Sequence, residues 1–263
     1  MTDGPEQLMK ALEDSVCKNV SGRSVAVAFS GGLDSGIIAA MAKKCGKENT
    51  LYTVGSENSN DIMSAGTAAS ELGMRWVSVL ISEKDVLECL REMISVTGTT
   101  DPVTLSFEIP LFFVCKNCAE EDIITGQGAD ELFAGYSKYI GLGAKDLEDL
   151  IAADMKKLSK DTIPHEKKVA EHFGKKLHYP YLDEEVIKAA GSLAFGTIVA
   201  ADDPLSRKRA LRKVSDLMGY PNLSKKENKA AQYSSGAMAL IKKICKERGI
   251  SFRELIETLS SGV

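Results

Sequence analysis

Short apolar runs alternate with amphipathic stretches along the first half of the chain. The run SVAVAF at 24–29 is followed by a glycine turn and by SGIIAAMAKKCG, which has helical character and ends at Gly46. LYTVG at 51–55 and MRWVSVLI at 74–81 each precede a helical pattern, and DIIT at 122–125 leads into GQGADELFAGY. Strands that alternate with helices predict an α/β fold, in which a parallel sheet has helices on both faces and binds ligands at the carboxyl ends of its strands.

The rest of the chain has helical periodicity. Leu8, Leu12 and Val16 recur at helical spacing after Pro5, which predicts an N-terminal helix. After about residue 140 the strand signals fade, and the segments that follow predict helices: KDLEDLIAADMKKL, IPHEKKVAEHF, DEEVIKAA and GAMALIKKICKERG. We therefore expect a single domain over 1–263, with an α/β core at about 20–140 and a helical part at about 141–263, so that the C-terminal third is helical.

Composition and charge exclude several classes of protein. Hydrophobic residues make up 44% of the chain and charged residues 27%, the balance of a soluble globular protein. The net charge of -4 gives no general attraction for nucleic acid, although 206–213 and 224–229 form a local basic cluster. The N-terminus resembles neither a signal peptide nor a membrane span, which predicts a cytoplasmic protein without a membrane partner. In a reducing compartment we expect all 6 cysteines to be thiols.

The first glycine turn, Ser30-Gly31-Gly32-Leu33-Asp34-Ser35, lies between a predicted buried strand and a predicted helix. Backbone N–H groups of such a turn, the helix dipole and serine hydroxyls together favour a bound phosphate. A carboxylate among them predicts Mg²⁺ on Asp34, since the metal would bridge the phosphate oxygens. The Walker and GxGxxG patterns are absent around this turn. A tight turn without a ligand is the alternative interpretation.

SGGLDS resembles the signature of the N-type ATP pyrophosphatases, which hold the β and γ phosphates as leaving pyrophosphate while a substrate is adenylated. The second turn, TGQGADELFAGY at 125–136, resembles the SGEGADELFGGY stretch of asparagine synthetases and β-lactam synthetases. Further pieces follow in the family's order: TVGSENSND at 53–61, YPYLD at 179–183, KRALR at 208–212 and KAAQYSSG at 229–236. The resemblance spans about 24–236 and implies the synthetase domain of an asparagine synthetase, with an adenine nucleotide α-hydrolase-like fold.

This resemblance assigns roles to residues at both turns. It implies that ATP and pyrophosphate contact Ala28, Ser30, Gly31, Gly32, Asp34, Ser35, Val54, Thr125, Gly126 and Gly128. Asp34 and Asp130 would hold Mg²⁺, and Asp130 could also be the N-cap of the helix beginning ELFAGY. Lys229 would stabilise charge on the α phosphate, and Lys226 is the alternative residue for this role. Lys208 would contact phosphate, and a solvated surface position is the alternative for each lysine.

The chain departs from the family pattern at several positions. Gln127 occupies the place of the family's glutamate, and an amide cannot accept a proton as a general base. His178 stands in place of an arginine, and a packed, buried histidine is the alternative to a site residue. The segment TLSFEIP offers Ser106 and Glu108 where the family has an arginine. The chain begins Met1-Thr2-Asp3, without the cysteine that starts the family's glutaminase domain.

The resemblance implies an ATP- and Mg²⁺-dependent ligase that adenylates a carboxylate, by default that of aspartate, and transfers ammonia to give asparagine and AMP. The ammonia would be free or supplied by a separate glutaminase subunit, and a homodimer is a further option. Two other functions stay open. Cys115 and Cys118 form a CxxC pair, as in tRNA-thiolating members of the superfamily, although buried cysteines also fill cores. The chain could otherwise be a nucleotide-binding module without catalysis.

Overall fold

A five-stranded sheet forms the centre of the molecule. The computed structural model describes residues 4–20, 24–45, 48–198, 207–225 and 231–261. The strands are β1 (Val25–Ala28), β2 (Thr50–Gly55), β3 (Arg75–Leu80), β4 (Asp122–Ile124) and β5 (Lys176–His178). They lie in the order β3-β2-β1-β4-β5, and every neighbouring pair is parallel. The parallel sheet predicted from the alternating pattern is confirmed.

Helices precede, separate and follow the strands. Those of the first half are α1 (Gly4–Val20), α2 (Leu33–Lys44), α3 (Asn60–Leu72), α4 (Glu83–Thr97), α5 (Pro102–Asn117) and α6 (Ala129–Leu132). The middle of the chain adds α7 (Ala144–Lys157), α8 (Ile163–His172), α9 (Glu184–Gly191) and α10 (Phe195–Ile198). The last are α11 (Arg209–Leu217), α12 (Pro221–Ser224), α13 (Ala231–Ser234), α14 (Ala237–Arg248) and α15 (Phe252–Ser260). Among the described helices, none combines the length and the apolar character that crossing a bilayer requires.

The helices cover both faces of the sheet. Side chains alternate between the faces along each strand, so Val25 and Val27 pack on one side and Ala26 on the other. The first side carries α1, α2, α3, α9 and α11. The second carries α4, α5, α8, α14 and α15. Burial on both faces explains why the central strands are continuous apolar runs, and the predicted three-layer α/β arrangement is confirmed.

The order of the strands reverses beside β1. The chain runs from β1 through β2 to β3 on one side and then returns to place β4 and β5 on the other. Such a reversal opens a crevice at the carboxyl ends of the two diverging strands, which is where α/β proteins bind ligands. The turn after β1 contains Gly31 and the turn after β4 contains Gly126, so both glycine turns border this crevice.

The edge strand β5 was not predicted from the sequence. It contains only Lys-Leu-His, and one apolar residue is too few to give the alternating pattern by which a strand is recognised in a sequence. The strand forms because its backbone pairs with β4, from Asp122 opposite Lys176 to Ile124 opposite His178. The sheet therefore extends beyond residue 140, where the strand signals fade.

A disulfide joins Cys17 in α1 to Cys45 at the end of α2. The two helices pack side by side and bring the Cα atoms to 5.3 Å, a separation within the range that disulfides need. The expectation that all cysteines are thiols is therefore wrong for this pair. Of the remaining cysteines, Cys89, Cys115 and Cys118 are buried thiols and Cys245 is half-buried.

The Cys17–Cys45 disulfide should contribute to stability because it closes a loop with a sequence separation of 28 residues and so restricts the unfolded chain. We expect dithiothreitol to lower the free energy of unfolding by about 2–4 kcal/mol. The double variant Cys17→Ser/Cys45→Ser should lose a similar amount and show no response to the reductant. Chemical denaturation with and without reductant measures this, and Cys245→Ser is the control. A wild-type protein insensitive to dithiothreitol would contradict the expectation.

Candidate active site

A cavity of about 510 Å³ lies at the carboxyl ends of β1, β2 and β4, between the two glycine turns. This volume is typical of small-molecule sites. Most of the residues predicted to bind ligand line it: Ala28, Ser30, Gly31, Gly32, Asp34, Ser35, Val54, Gly126, Gln127, Asp130 and Lys208. Thr125 and Gly128 belong to the second turn but are not among the residues that line the cavity. The crevice predicted from the parallel sheet thus contains an actual cavity.

The first turn is held by its own serines. The Ser30 N–H donates to the Ser35 hydroxyl at 3.2 Å, and the Gly32 N–H donates to the Ser30 hydroxyl at 3.3 Å. Gly31 has a φ of 73°, and a Cβ there would meet the Ala65 backbone at 2.6 Å, so only glycine fits. Gly32 is the N-cap of α2, and no described side chain caps this helix. The start of α2 therefore faces the cavity with the free N–H groups and partial positive charge that favour an anion.

Lys208 lies buried between the two aspartates. Its ammonium contacts Asp34 Oδ2 and lies 2.9 Å from Asp130 Oδ1, while the residue is only 1% exposed. Its backbone has a φ of 57°, a left-handed conformation that is uncommon outside glycine and often found at functional sites. A Cβ on Gly135 would lie 2.2 Å from Lys208 Cε, so this glycine makes room for the lysine. The surface alternative for Lys208 is wrong.

The electrostatics of this cluster keep Lys208 charged. Burial alone lowers the pKa of Lys208, but the charges of Asp130 and Asp34 outweigh burial and leave this pKa above its ordinary value. For Asp34, burial raises the pKa more than the Lys208 charge lowers it. Asp34 Oδ1 is buried, and no donor among the described residues reaches it. One ammonium shared between two carboxylates thus leaves an acceptor oxygen available in the cavity wall.

That free oxygen fits the Mg²⁺ ion implied by the sequence, because Mg²⁺ prefers carboxylate, phosphate and water oxygens. Asp34 and Asp130 come from different turns and meet at one ammonium, which shows that the location already attracts a cation. Among the described residues there is no group of three or more His, Cys, Asp or Glu side chains placed to hold a metal. Phosphate oxygens and water would therefore have to complete the coordination.

The second turn packs directly on the first. A Cβ on Gly126 would lie 3.3 Å from Asp34 Cβ, and the Tyr181 hydroxyl donates to the Asp34 carbonyl at 3.1 Å. Gly128, with a φ of 94°, is the N-cap of α6. Asp130 lies inside the first turn of α6, so the prediction that it is the N-cap is wrong. Its carboxylate contacts the Lys208 ammonium.

Part of the cavity wall is apolar and acidic. Phe107, Leu111 and Val114 line it together with Glu108 of α5 and Glu166 of α8. Both glutamates are buried, and Glu166 was not predicted from the sequence. The departure from the family at the segment TLSFEIP therefore places a carboxyl group, Glu108, inside the cavity.

The sequence of the chain is similar to those of known proteins. The family model described as asparagine synthase matches residues 7–142. A putative glutamine-hydrolyzing asparagine synthetase of Methanocaldococcus jannaschii is 30% identical over 296 residues, covering 98% of this chain and 54% of that protein. The chain belongs to the asparagine synthase family. A glutamine-hydrolyzing asparagine synthetase of Arabidopsis thaliana is 26% identical over 237 residues, covering 84% of this chain and 41% of that protein.

This member of the asparagine synthase family spans about half the length of the curated relatives it matches. Among solved structures, an NMN synthetase from Francisella tularensis superposes with a TM-score of 0.45 at 15% sequence identity, covering 98% of this chain and 85% of that chain.

Two of the departures from the asparagine synthase pattern can be located in the structure. His178 Nε2 lies 2.7 Å from Asp122 Oδ1, and Nδ1 lies 3.1 Å from Asn19 Oδ1. The residue does not line the cavity, so the packed histidine is the interpretation that the structure supports. Gln127 does line the cavity. Lys229 and Lys226 lie outside the described residues, so their predicted roles stay predictions.

Several cavity residues of this asparagine synthase family member were not predicted from its sequence. They are Tyr52, Asn60, Asp61, Ser64, Glu166, Arg212 and Ser234. Asp61 and Ser234 come from the quoted pieces TVGSENSND and KAAQYSSG, and the Ser234 hydroxyl donates to Asp61 Oδ2 at 3.0 Å. The order of these pieces was the signal that could have found them. Glu166 had no such signal, because it lies in an ordinary amphipathic helix.

Proposed function

We propose that this protein uses ATP to adenylate a carboxylate, releases pyrophosphate, and transfers the acyl group to ammonia to form an amide and AMP. Aspartate is the proposed substrate and asparagine the proposed product. The observation that supports this most directly is the meeting of Asp34, Asp130 and Lys208 beside the uncapped start of α2. Opposite charges arranged around a phosphate-binding turn suit pyrophosphate as a leaving group better than they suit a neutral ligand.

In this proposal the triphosphate lies on the first turn, where the Ser30 and Ser35 hydroxyls and the free N–H groups at the start of α2 are donors, and Gly32 lets the backbone approach it. Ala28 and Val54 border the adenosine, and Gly126 lies beside the nucleotide. Asp34 and Asp130 would hold Mg²⁺, which offsets the negative charge of the phosphates when bound. Lys208 orients both carboxylates and adds positive charge close to the phosphates.

The substrate carboxylate then attacks the α phosphorus, and pyrophosphate leaves. Ammonia attacks the acyl carbon, the amide forms, and AMP departs. Lys229 is the proposed cation for the α phosphate and the tetrahedral centre. Gln127 can hold a substrate by hydrogen bonding, but it cannot remove a proton, so another group must do so. Free ammonia or a separate glutaminase subunit is the proposed nitrogen source, and a homodimer is the proposed assembly.

Release of pyrophosphate from Mg-ATP by the purified protein tests this function. We expect release that depends on a carboxylic acid, with aspartate and ammonia giving asparagine and AMP. The remaining amino acids and tRNA serve as comparison substrates. Release with a different acid would move the substrate away from aspartate but keep the reaction class. Nucleotide binding without release under any condition would reject the ligase and favour the non-catalytic module.

The tRNA-thiolation alternative depends on Cys115 and Cys118. Both thiols are buried, and burial raises the pKa of Cys115 to about 12 and that of Cys118 above its ordinary value. A sulfur carrier needs an accessible thiolate, so these thiols fit the packing role better. Neither cysteine lines the cavity. Pyrophosphate release that requires tRNA and a sulfur source would revive this alternative.

A further inference from the structure

Two buried carboxyl groups in the cavity lack the partners that buried acids normally have. Glu108 is 2% exposed and Glu166 is 4% exposed, and both line the cavity. No donor among the described residues reaches either carboxylate oxygen of Glu108 or Oε2 of Glu166. Buried polar atoms without a partner are rare, and in a cavity wall they indicate the position of a ligand.

The surroundings of this pair are negative or neutral. Burial and the charge of Glu166 raise the pKa of Glu108 to about 8. Burial raises the pKa of Glu166 to about 8 as well, with Glu131 adding to the shift and the Tyr179 hydroxyl opposing it. Tyr179, Cys115 and Cys89 also interact with the pair, and none of them carries a positive charge. In the described part of the chain, no lysine or arginine offsets the charge of either glutamate.

The other acids of the cavity already have partners. Asp34 and Asp130 contact Lys208, and Asp61 accepts a hydrogen bond from Ser234. Gln127 has no proton-accepting group. Glu108 and Glu166 differ from Asp34 and Asp130 because no described lysine or arginine offsets their charge, so they can accept a proton from a ligand.

We propose that Glu108 and Glu166 form a subsite for a cationic nitrogen, an ammonium ion or a small primary amine, and accept a proton from it. This inference rests on the proposed function, because the nitrogen bound there is the donor of the amide-forming step. An ammonium group supplies the positive charge and the N–H donors that the pair lacks. Phe107, Leu111 and Val114 line the same cavity and give it apolar surface.

The proton balance of this step is simple. The bound ammonium gives one proton to a carboxylate of the pair and becomes a neutral amine. The nitrogen lone pair forms the C–N bond at the acyl carbon, and the C–O bond to AMP breaks with its electrons on the phosphate oxygen. The second proton passes from the new amide nitrogen to the departing AMP. No oxidant or further reactant is required.

A binding experiment tests the subsite without turnover. We expect ethylammonium chloride to raise the melting temperature of the wild-type protein above the value in potassium chloride of equal ionic strength. Glu108→Gln and Glu166→Gln should each remove this shift. Both variants should fold, because glutamine keeps the shape of glutamate and places no charge in a buried position. Glu171→Gln, on the exposed side of α8, is the control and should respond like the wild type.

A kinetic experiment tests the role of the subsite. In both variants, acid-dependent ATP–pyrophosphate exchange, which needs no nitrogen donor, should be unchanged. The KM for ammonium should rise roughly ten- to hundredfold, as expected when a charge-assisted hydrogen bond is lost. Hydroxylamine is uncharged at neutral pH and needs no deprotonation, so hydroxamate formation should persist. A purely structural role of the pair would reduce the reaction with both nucleophiles.

The outcomes separate the two proposals. No exchange with any acid in the wild-type protein would reject the ligase, while the ethylammonium shift would still decide whether the pair binds a cation. Normal exchange with an unchanged KM for ammonium in both variants would overturn the subsite and leave the ligase intact. An increased KM for the acid in the exchange assay would also overturn it, since the pair would then bind the acyl substrate.

Discussion

Replacing Lys208 by methionine is expected to lower the free energy of unfolding by about 3–5 kcal/mol at neutral pH in the absence of divalent metal. The ammonium is buried and contacts both Asp34 and Asp130. Its loss leaves two carboxylates close together in a site where burial already raises the pKa of Asp34. Urea denaturation in the presence of a chelator measures the loss.

The loss of stability in Lys208→Met should depend on pH in a definite direction. Without the ammonium, the folded-state pKa of Asp34 should rise further above the unfolded value. The folded state then binds more protons than the unfolded state, so stability is retained at low pH and lost as pH rises through the raised pKa. The deficit of Lys208→Met should therefore shrink as the pH falls. Lys213→Met, on the exposed side of α11, is the control. A loss below about 1 kcal/mol, typical of a surface ion pair, would contradict the buried cluster.

Asp34→Asn is expected to reduce pyrophosphate release on the order of 10²–10³-fold, comparable to the loss of one group that stabilises transition-state charge. The substituted asparagine would keep the shape of the side chain but could not balance a divalent cation beside the phosphates. The fold should survive, since Asp130 still contacts Lys208 and one buried charge is removed. Melting temperature and turnover measured together distinguish these effects.

The matched control for Asp34→Asn is Asp216→Asn, which lies on the exposed side of α11. It should leave turnover within about twofold of the wild type, because exposed charges far from phosphate act weakly through water. If Asp34→Asn turned over ATP like this control, neither the metal nor the pyrophosphate assignment of Asp34 would stand. Restored turnover at high Mg²⁺ concentration would instead support weakened metal binding.

Much of the fold follows from local patterns. The buried strands β1 and β2 are apolar runs, and α3 ends at Gly73, whose φ of 59° requires a residue such as glycine. The meeting of the two glycine turns also followed from the sequence, because parallel strands end at one edge of the sheet. β5 did not, since its pairing with β4 depends on a partner strand distant in the sequence.

The site was less predictable where burial reverses the usual preference of a residue. Lys208 stands in the basic run SRKRALRK, which is typical of a solvated surface, yet its side chain is inside. Glu166 occupies a position on the buried side of α8 that an apolar residue would normally fill. Such positions depend on which groups the tertiary structure brings opposite them. The Cys17–Cys45 pairing depends on helix packing for the same reason.

The contact between Lys208 and Asp34 joins residues 174 positions apart. A chain leaving the ribosome would expose both glycine turns, and both aspartates, well before its lysine emerged. During that interval the two carboxylates would repel each other, and the entropy of closing so long a loop would still be unmet. The ion-pair cluster of the crevice can therefore be completed only after most of the chain, up to the start of α11, has been synthesised.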